Sequence, residues 1–323
     1  MLKVAILSSW HVHAGGYAQE FMARDDVKVT AVWDEQPEKG QGFADWLKLP
    51  FEPDLDKLLA TDIDSVCINS PTNEHPEVII KCAKAGKHIF TEKVLALTNK
   101  EAQEIAAAVK AAGVKFCISF PHRTFRHNLF AKKVVDEKLL GDITYMRMRN
   151  AHNGASAGWL PPHFYSKEQC GGGAMIDLGA HPMYLIPWLM GKPVEVASAF
   201  TAVTGHGVED NAVTVMKYAN GAVAVSETGF VSSHSPTMLE LYGTAGSLQI
   251  FGNEVRLVSE QQNEGKWQTI TELPEGLPGP IDQFVDGVLY GKEIIFGMED
   301  ALVLTEMMDA AYRAHESGGF AKL

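Results

Sequence analysis

Within the first 120 residues, apolar runs of strand length alternate with helical segments, and this rhythm constrains the fold more than any other feature. The runs are Val4–Leu7, Val27–Trp33, Ser65–Asn69, Lys87–Thr91 and Val114–Ser119. Gly16–Ala23, Pro76–Ala85 (ended by Gly86) and Lys100–Ala112 (ended by Gly113) have helical character, and a polar segment follows Trp33. Strand–helix alternation of this kind makes a parallel, doubly wound sheet. The runs are continuously apolar, as strands covered on both faces are.

After Phe120 the pattern changes. A helix at about Leu129–Lys138 leads to a strand, Ile143–Arg149, then to a Gly/Pro/aromatic loop, Gly154–Gly173, and a helix over Ala174–Met190. Five strands follow: Val194–Val203, Ala212–Tyr218, Ala222–Phe230, Thr237–Tyr242 and Ser247–Phe251. Asn220-Gly221, between two of them, is a strong hairpin signal. A last helix, about Met298–Glu316, is closed by Gly318-Gly319. This pattern predicts an α+β domain with a largely antiparallel open sheet. A chain of 323 residues holds two domains, expected at 1–121 and 122–323.

The formal net charge of −12 argues against nucleic acid or an anionic membrane surface as partner, because both attract basic patches. No apolar run approaches the roughly 18–20 residues of a membrane span. Met1–Leu7 runs straight into a strand, with no charged segment before a longer apolar one, so no signal peptide is expected. Cys67, Cys82, Cys117 and Cys170 are far apart and form no C-x-x-C pair. They read as buried free thiols of a cytoplasmic protein.

A dinucleotide fold wants a glycine-rich turn after its first strand, where backbone approaches the pyrophosphate at a helix N-terminus. Here the turn is Ser8-Ser9-Trp10-His11-Val12-His13-Ala14-Gly15-Gly16, with Ser8, Trp10 and His13 in the three glycine positions. The flanking strand and helix still leave N-terminal amides for an anion. Ser8, Ser9, Trp10, His11 and Val12 are therefore expected to meet the pyrophosphate, largely through backbone N–H groups, with the Trp10 and His11 side chains turned away. Asp34, about 20 residues on, is placed to bind the adenosine ribose. Asp34 and Glu35 put negative charge where a 2′-phosphate would sit, and no Arg stands nearby. NAD is expected over NADP.

The residues from Asp64 to Lys93 contain Ser70-Pro71-Thr72-Asn73-Glu74-His75, then Ala85-Gly86-Lys87-His88, then Glu92-Lys93. Gly171-Gly172-Gly173-Ala174-Met175-Ile176-Asp177-Leu178-Gly179-Ala180-His181 follows in the second part. These resemble the Gfo/Idh/MocA oxidoreductase family, with its S/T-P-x-x-x-H, A-G-K-H, E-K-P and G-G-G-x-x-x-D-x-G-x-H patterns. Glu209-Asp210-Asn211, Asn220-Gly221 and Leu241–Ser247 are similar to weaker family signatures. The resemblance runs nearly end to end. It implies a Rossmann NAD-binding domain, then a domain for substrate binding and oligomerisation, commonly in a homodimer or homotetramer.

Alcohol oxidation needs a hydride acceptor, a base for the hydroxyl proton and a group that holds the oxygen. Lys93 lies just beyond a strand end, on the carboxyl edge where open α/β sites form, and a cation there holds a reacting oxygen. Asp177 and His181 stand at i and i+4, one turn apart if both are helical, and a carboxylate beside an imidazole suits a general base. Pro182 disfavours helical geometry in the residue before it, so a kink is expected at His181. The resemblance implies Lys93, Asp177 and His181 as the catalytic trio, and Ser70, Pro71, Asn73, His75 and Glu92 around the nicotinamide half of the cofactor. The loop Trp159–Tyr165, with Arg123, Arg149, His152 and Asn153, offers aromatic and hydrogen-bonding groups that suit a sugar, or else packs as an interdomain loop. Arg123, His152 and Trp159 are the substrate contacts expected beside the trio. No metal ligand set is expected.

The chain departs from the pattern at three places. Val94 replaces the proline after Glu-Lys, Tyr184 stands where many members carry an Asp, and the glycine fingerprint is missing. The expected function is hydride transfer between NAD(H) and a secondary alcohol or ketone of a sugar, inositol or related polyol. The alternatives are a redox glycosidase that uses held NAD transiently, and a non-catalytic ligand sensor.

Overall fold

The computed structural model describes residues 1–262 and 264–323. The chain divides into two compact units, Met1–Ser119 with Pro278–Thr305, and Phe120–Leu277 with Glu306–Leu323.

In the first unit, β1 (Leu2–Leu7), α1 (Ala14–Met22), β2 (Val27–Trp33), α2 (Pro37–Leu47), α3 (Leu55–Leu59), β3 (Ser65–Ile68), α4 (His75–Lys84), β4 (His88–Thr91), α5 (Asn99–Ala112) and β5 (Phe116–Ile118) follow one another. The strands pair in parallel in the order β2-β1-β3-β4-β5. This is the doubly wound sheet expected. The order reverses between β1 and β3, so their carboxyl ends open the crevice in which such sheets bind ligands. Local signals set the helix ends. Thr98 and Glu101 form a reciprocal capping box on α5, and Gly113 closes it at φ +65°. The polar segment after Trp33 contains α2, which Pro37 starts and left-handed Lys48 stops.

Pro278–Thr305, expected in the second domain, completes the first unit instead. Its helix Pro280–Tyr290 sets Phe284 against Phe21 and Phe90, at centroid distances of 6.2 and 5.9 Å. Arg24 reaches Asp282 and Asp286 on the same helix, at 2.7 and 2.8 Å. An apolar helix face packed on the sheet outweighs sequence distance.

The second unit holds α6 (Arg126–Asp136), β6 (Ile143–Ala151), α7 (Lys167–Cys170), α8 (Ala180–Met190), β7 (Glu195–Thr201), β8 (Asn211–Lys217), β9 (Val223–Gly229), β10 (Met238–Gly243), β11 (Gly246–Phe251), β12 (Glu254–Ser259), β13 (Gln268–Thr269) and, last in the chain, β14 (Phe320–Lys322). Its sheet runs β13-β12-β11-β10-β6-β9-β8-β7-β14, antiparallel apart from the central β6–β9 pair. Gly221, at φ +87°, makes the β8–β9 turn where the Asn-Gly pair predicts it. Three strands, β12, β13 and β14, extend the sheet beyond the runs expected. Helix α8 begins six residues later than expected, because Ala174–Gly179 forms turns. All four cysteines are free and buried. Among the described residues no helix is long and apolar enough to cross a membrane.

Candidate active site

In the first unit, candidate site residues lie at the carboxyl ends of β1, β2, β3 and β4. Ser8 follows β1 with φ +71°. The first fingerprint glycine is absent, yet the left-handed backbone that glycine would supply is kept, at a cost of about 1 kcal/mol for a residue with a Cβ. The N–H groups of the turn are mostly engaged within the fold. Ser8 donates to the Trp33 carbonyl (2.7 Å), His11 to that of Asn69 (3.1 Å) and Ala14 to that of His11 (3.0 Å). Ser9 N–H bonds Asp34 (2.9 Å), Trp10 N–H the Ser8 hydroxyl (3.1 Å), and His13 N–H the His11 Nδ1 (3.2 Å). This corrects the expectation that the Ser8–His11 amides are offered to the pyrophosphate. Among the described residues, the Val12, Gly15 and Gly16 amides have no such bond, so the open N–H donors of this turn lie at Val12 and the start of α1.

Asp34 is 2% exposed, and its carboxylate takes Ser9 N–H and Oγ (2.9 and 2.6 Å) and Gln36 N–H (2.8 Å). It ties the two loops together. Glu35 is the more open acid. Its Oε2 is buried with no hydrogen-bond partner, and it lines a cleft of about 660 Å³ with Trp33, Pro53, Leu55 and Glu74. Burial, then the Asp34 charge, push its carboxyl up to about 7. Ser70 Oγ is likewise buried without a partner. Two orphaned acceptors around the carboxyl edge fit a polyhydroxyl cofactor such as NAD, whose hydroxyls would satisfy them.

Glu92, directly after β4, gathers a cluster that the spacing did not reveal. Its Oε1 accepts the Tyr17 hydroxyl at 2.6 Å, pairs with His13 Nδ1 and lies 3.6 Å from His11 Nδ1. Its Oε2 accepts Lys93 N–H at 2.6 Å, and Tyr17 also reaches Ser119 Oγ at 2.7 Å. Burial pushes the Glu92 carboxyl up, but the charges of His11, His13 and Lys93 outweigh it and hold the group well below the usual carboxylate range. Three potential metal-ligand atoms, on His11, His13 and Glu92, lie within 4.8 Å of one another. Glu92 accepts three donors and His11 Nδ1 receives the His13 N–H, so hydrogen bonds tie the cluster together. Tyr17 and His13 are the residues missed. Their signal was the aromatic and imidazole content of a turn where glycine is usual.

Lys93 is 7% exposed and begins the segment after β4. His75 lies under that segment, with ring nitrogens on the carbonyls of Val94 (2.9 Å), Leu95 (3.2 Å) and Ser70 (3.1 Å). Burial holds its imidazole below the usual range. His75 therefore organises the Lys93 backbone rather than facing outward, a correction to its expected cofactor contact. Pro71 is buried, and Asn73 is exposed on a short 3-10 turn.

In the second unit, Asp177 lies on the turn before α8, not on the helix. The His181 N–H bonds the Leu178 carbonyl (3.2 Å) rather than that of Asp177, so the one-face, one-turn pairing is corrected. Pro182 sits in the first turn of α8, where a missing N–H costs nothing. The partners described for His181 are the Tyr184 hydroxyl, 2.9 Å from Nδ1, and the His122 ring stacked on it at 3.8 Å. Burial lowers the His152 imidazole and the Asp177 charge acts to raise it. The His152 ring lies between Phe230 (5.2 Å) and Trp159 (4.6 Å). Trp159 is 55% exposed and donates Nε1–H to Asn153. Leu160 and Phe164 of the same loop are buried with Phe230, so the loop packs its apolar residues and presents His152 and Trp159. Arg123 is drawn inward, over the rings of Phe120, Tyr184 and Trp188 at 5.4–5.8 Å, and bonds the Tyr184 carbonyl. Arg149 is held by Glu227, Ser232 and Ser235. Both arginines brace the fold.

Comparison with known proteins adds to this geometry. Residues 12–120 match the oxidoreductase family profile with NAD-binding Rossmann fold, and 129–249 match the Gfo/Idh/MocA C-terminal domain. The chain is 28% identical to the scyllo-inositol 2-dehydrogenase (NAD+) of Bacillus subtilis, covering 88% of this chain and 83% of that protein. It is 23% identical to the D-glucoside 3-dehydrogenase of Escherichia coli, covering 98% and 96%. A solved levoglucosan dehydrogenase, in complex with NADH and levoglucosan, superposes with a TM-score of 0.86 at 21% identity, covering 99% of each chain.

Proposed function

The chain belongs to the Gfo/Idh/MocA family of NAD-binding oxidoreductases, and from that premise we propose that it moves a hydride between NAD(H) and a secondary alcohol or ketone of a sugar, inositol or related polyol. The observation that carries the reading is the buried Lys93, two residues past the end of β4 on the carboxyl edge of the parallel sheet. The nicotinamide ring would take or give the hydride when bound. Lys93 would hold the reacting oxygen and offset charge developing on it. His181 would exchange the hydroxyl proton, with Asp177 as the nearby carboxylate. His152 and Trp159 pair a ring face with a hydrogen-bonding group, as a sugar with C–H faces and hydroxyls requires. The relatives' names, inositol and glucoside dehydrogenases, support the same substrate class. A panel of sugars and polyols assayed with NAD+ and NADP+, following absorbance of the reduced cofactor, tests it. At least one ring polyol should give net NADH. Turnover of a glycoside with no net NADH would favour the redox glycosidase instead.

The cofactor preference follows from the acids after β2. With Asp34 spent on Ser9 and Gln36, Glu35 is the carboxylate we assign to the adenosine ribose. A 2′-phosphate beside it would meet like charge, so NADP is expected to bind about tenfold more weakly than NAD or worse, about 1.4 kcal/mol. Because the Glu35 carboxyl is pushed up to about 7, it ionises near neutrality, and the discrimination should grow as pH rises from about 6 to 8. Calorimetry with both cofactors, on wild type and Glu35→Gln, reads this. Equal or tighter binding of NADP by the wild type at pH 8 contradicts it.

A further inference from the structure

His13 stands in the third glycine position of the turn after β1 and directly precedes α1. Its backbone is ordinary right-handed helix, φ −82° and ψ −12°, so its conformation does not call for glycine. Its side chain is 49% exposed, while the Glu92 carboxylate that pairs with its Nδ1 is buried. Burial pushes the Glu92 carboxyl up, but the charges of His11, His13 and Lys93 hold it well below the usual range. As an anion it only accepts, so the proton of the pair sits on His13 Nδ1. Nε2, on the far side of the ring, has no hydrogen-bond partner among the described residues. The ring is held edge-on by His11 and Tyr17, at centroid distances of 4.6 and 5.7 Å. The Tyr17 hydroxyl braces the same Glu92 oxygen at 2.6 Å.

We propose that His13 is a pyrophosphate-binding residue of the cofactor site: Glu92 holds its imidazole at the start of α1, and Nε2 donates to a cofactor phosphate. The proposal rests on the reading of NAD as cofactor. The backbone alone is a poor anion site here, because the Ser8–His11 amides are engaged within the fold. The open amides of Val12, Gly15 and Gly16 lie on either side of His13 in the chain, so a phosphate that meets them meets the imidazole as well. Between a carboxylate and a phosphate the ring carries both protons, since each anion favours the charged form. A charged donor makes a hydrogen bond roughly twice as strong as a neutral one. The side chain thus supplies by charge what fingerprint glycines allow through close approach of the backbone.

The other charged groups nearby are turned to other partners or act through Glu92. Lys93 acts on the Glu92 carboxylate. On α1, burial and Asp282 push the Glu20 carboxyl up, and the His13 charge lowers it. On the helix Pro280–Tyr290, Asp282 and Asp286 turn to Arg24. Asp34 is spent on Ser9 and Gln36. Glu92 is the carboxylate that meets the ring.

The test compares ligands with and without phosphates. Fluorescence of bound NADH gives its affinity for wild type, His13→Leu and His13→Gln, and displacement of NADH gives those of ADP and adenosine. Wild type should bind ADP about tenfold or more tightly than adenosine. His13→Leu should bind NADH and ADP about tenfold more weakly, with adenosine unchanged. His13→Gln keeps an N–H donor without charge and should fall between. The phosphorus resonances of bound NAD should shift in both variants, and a thermal melt checks that each is folded. A His13→Leu variant that binds NADH like wild type overturns the proposal. So does one that loses adenosine and NADH equally, because that marks a disturbed turn. A wild type that gains nothing from the phosphates of ADP overturns it too. Those results leave the cofactor in place, whereas a wild type that binds no NADH removes the cofactor reading and the proposal with it.

Discussion

Replacing Lys93 with alanine is expected to lower turnover roughly 10²-fold or more, and His181→Ala to do the same. Lys93 is buried, and its segment is fixed from below by His75 and from before by Glu92. A charge that cannot wander needs no reorganisation when an oxygen beside it gains electron density, so its effect should concentrate on the transition state. The loss should therefore appear in kcat and kcat/KM alike, with KM changed little. His181 should show the same split, because proton exchange belongs to the chemical step. Steady-state kinetics beside a thermal melt separates these losses from misfolding. Near-normal turnover in a folded variant, on a verified substrate, takes that residue out of the mechanism.

The second large effect concerns stability. Gly173 ends the triple-glycine turn, and a Cβ there would lie 2.2 Å from the Glu209 carbonyl oxygen and 2.8 Å from Val208 Cγ2. The first of these is backbone and cannot swing aside. The same segment is pinned by the Glu209 carboxylate, whose Oε1 accepts the N–H groups of Gly173 (2.8 Å) and Met175 (3.0 Å) and the hydroxyl of Tyr312 (2.7 Å). Gly173→Ala must break this packing or those bonds, and is expected to cost about 3 kcal/mol. Gly16→Ala is the matched control, since nothing lies within 4 Å of its Cβ in the first turn of α1, and it should be neutral or slightly stabilising. Denaturant midpoints measure both. A Gly173→Ala loss under about 1 kcal/mol would mean that the turn yields more easily than its contacts imply.

Much of the fold was legible because the first unit's strands are short, apolar throughout and separated by helices with ordinary caps. Gly113 marks the end of α5 from sequence alone, and the Thr98–Glu101 box caps its start in the structure. What was illegible depends on long-range packing. The three residues of β14 pair with Glu195–Ala197 far back in the chain, and no local pattern announces so short an edge strand. The Asp177–His181 spacing fits a helix, yet the glycines before it and Gly179, whose Cβ would meet the Met175 carbonyl at 2.3 Å, hold the backbone in tight turns until Ala180. In the candidate site, motif residues were readable by type. Their partners were not, because Tyr17 and His122 reach Glu92 and His181 from other elements and carry no spacing signal. Asp34 shows the converse. Its spacing suits a ribose acid, but Ser9 of the neighbouring turn claims its carboxylate.

Because Pro280–Tyr290 supplies Phe284 to the ring cluster of Phe21 and Phe90, the first unit is split by nearly 160 residues that belong elsewhere. A ribosome that has finished β5 has not yet made the helix that covers this face. The nascent sheet must wait, with two phenylalanines bare, until Phe120–Leu277 has been translated. Cutting the gene at the boundary suggested by the repeating pattern would leave that face permanently open, so a soluble cofactor-binding fragment needs the distant helix spliced back onto Ser119.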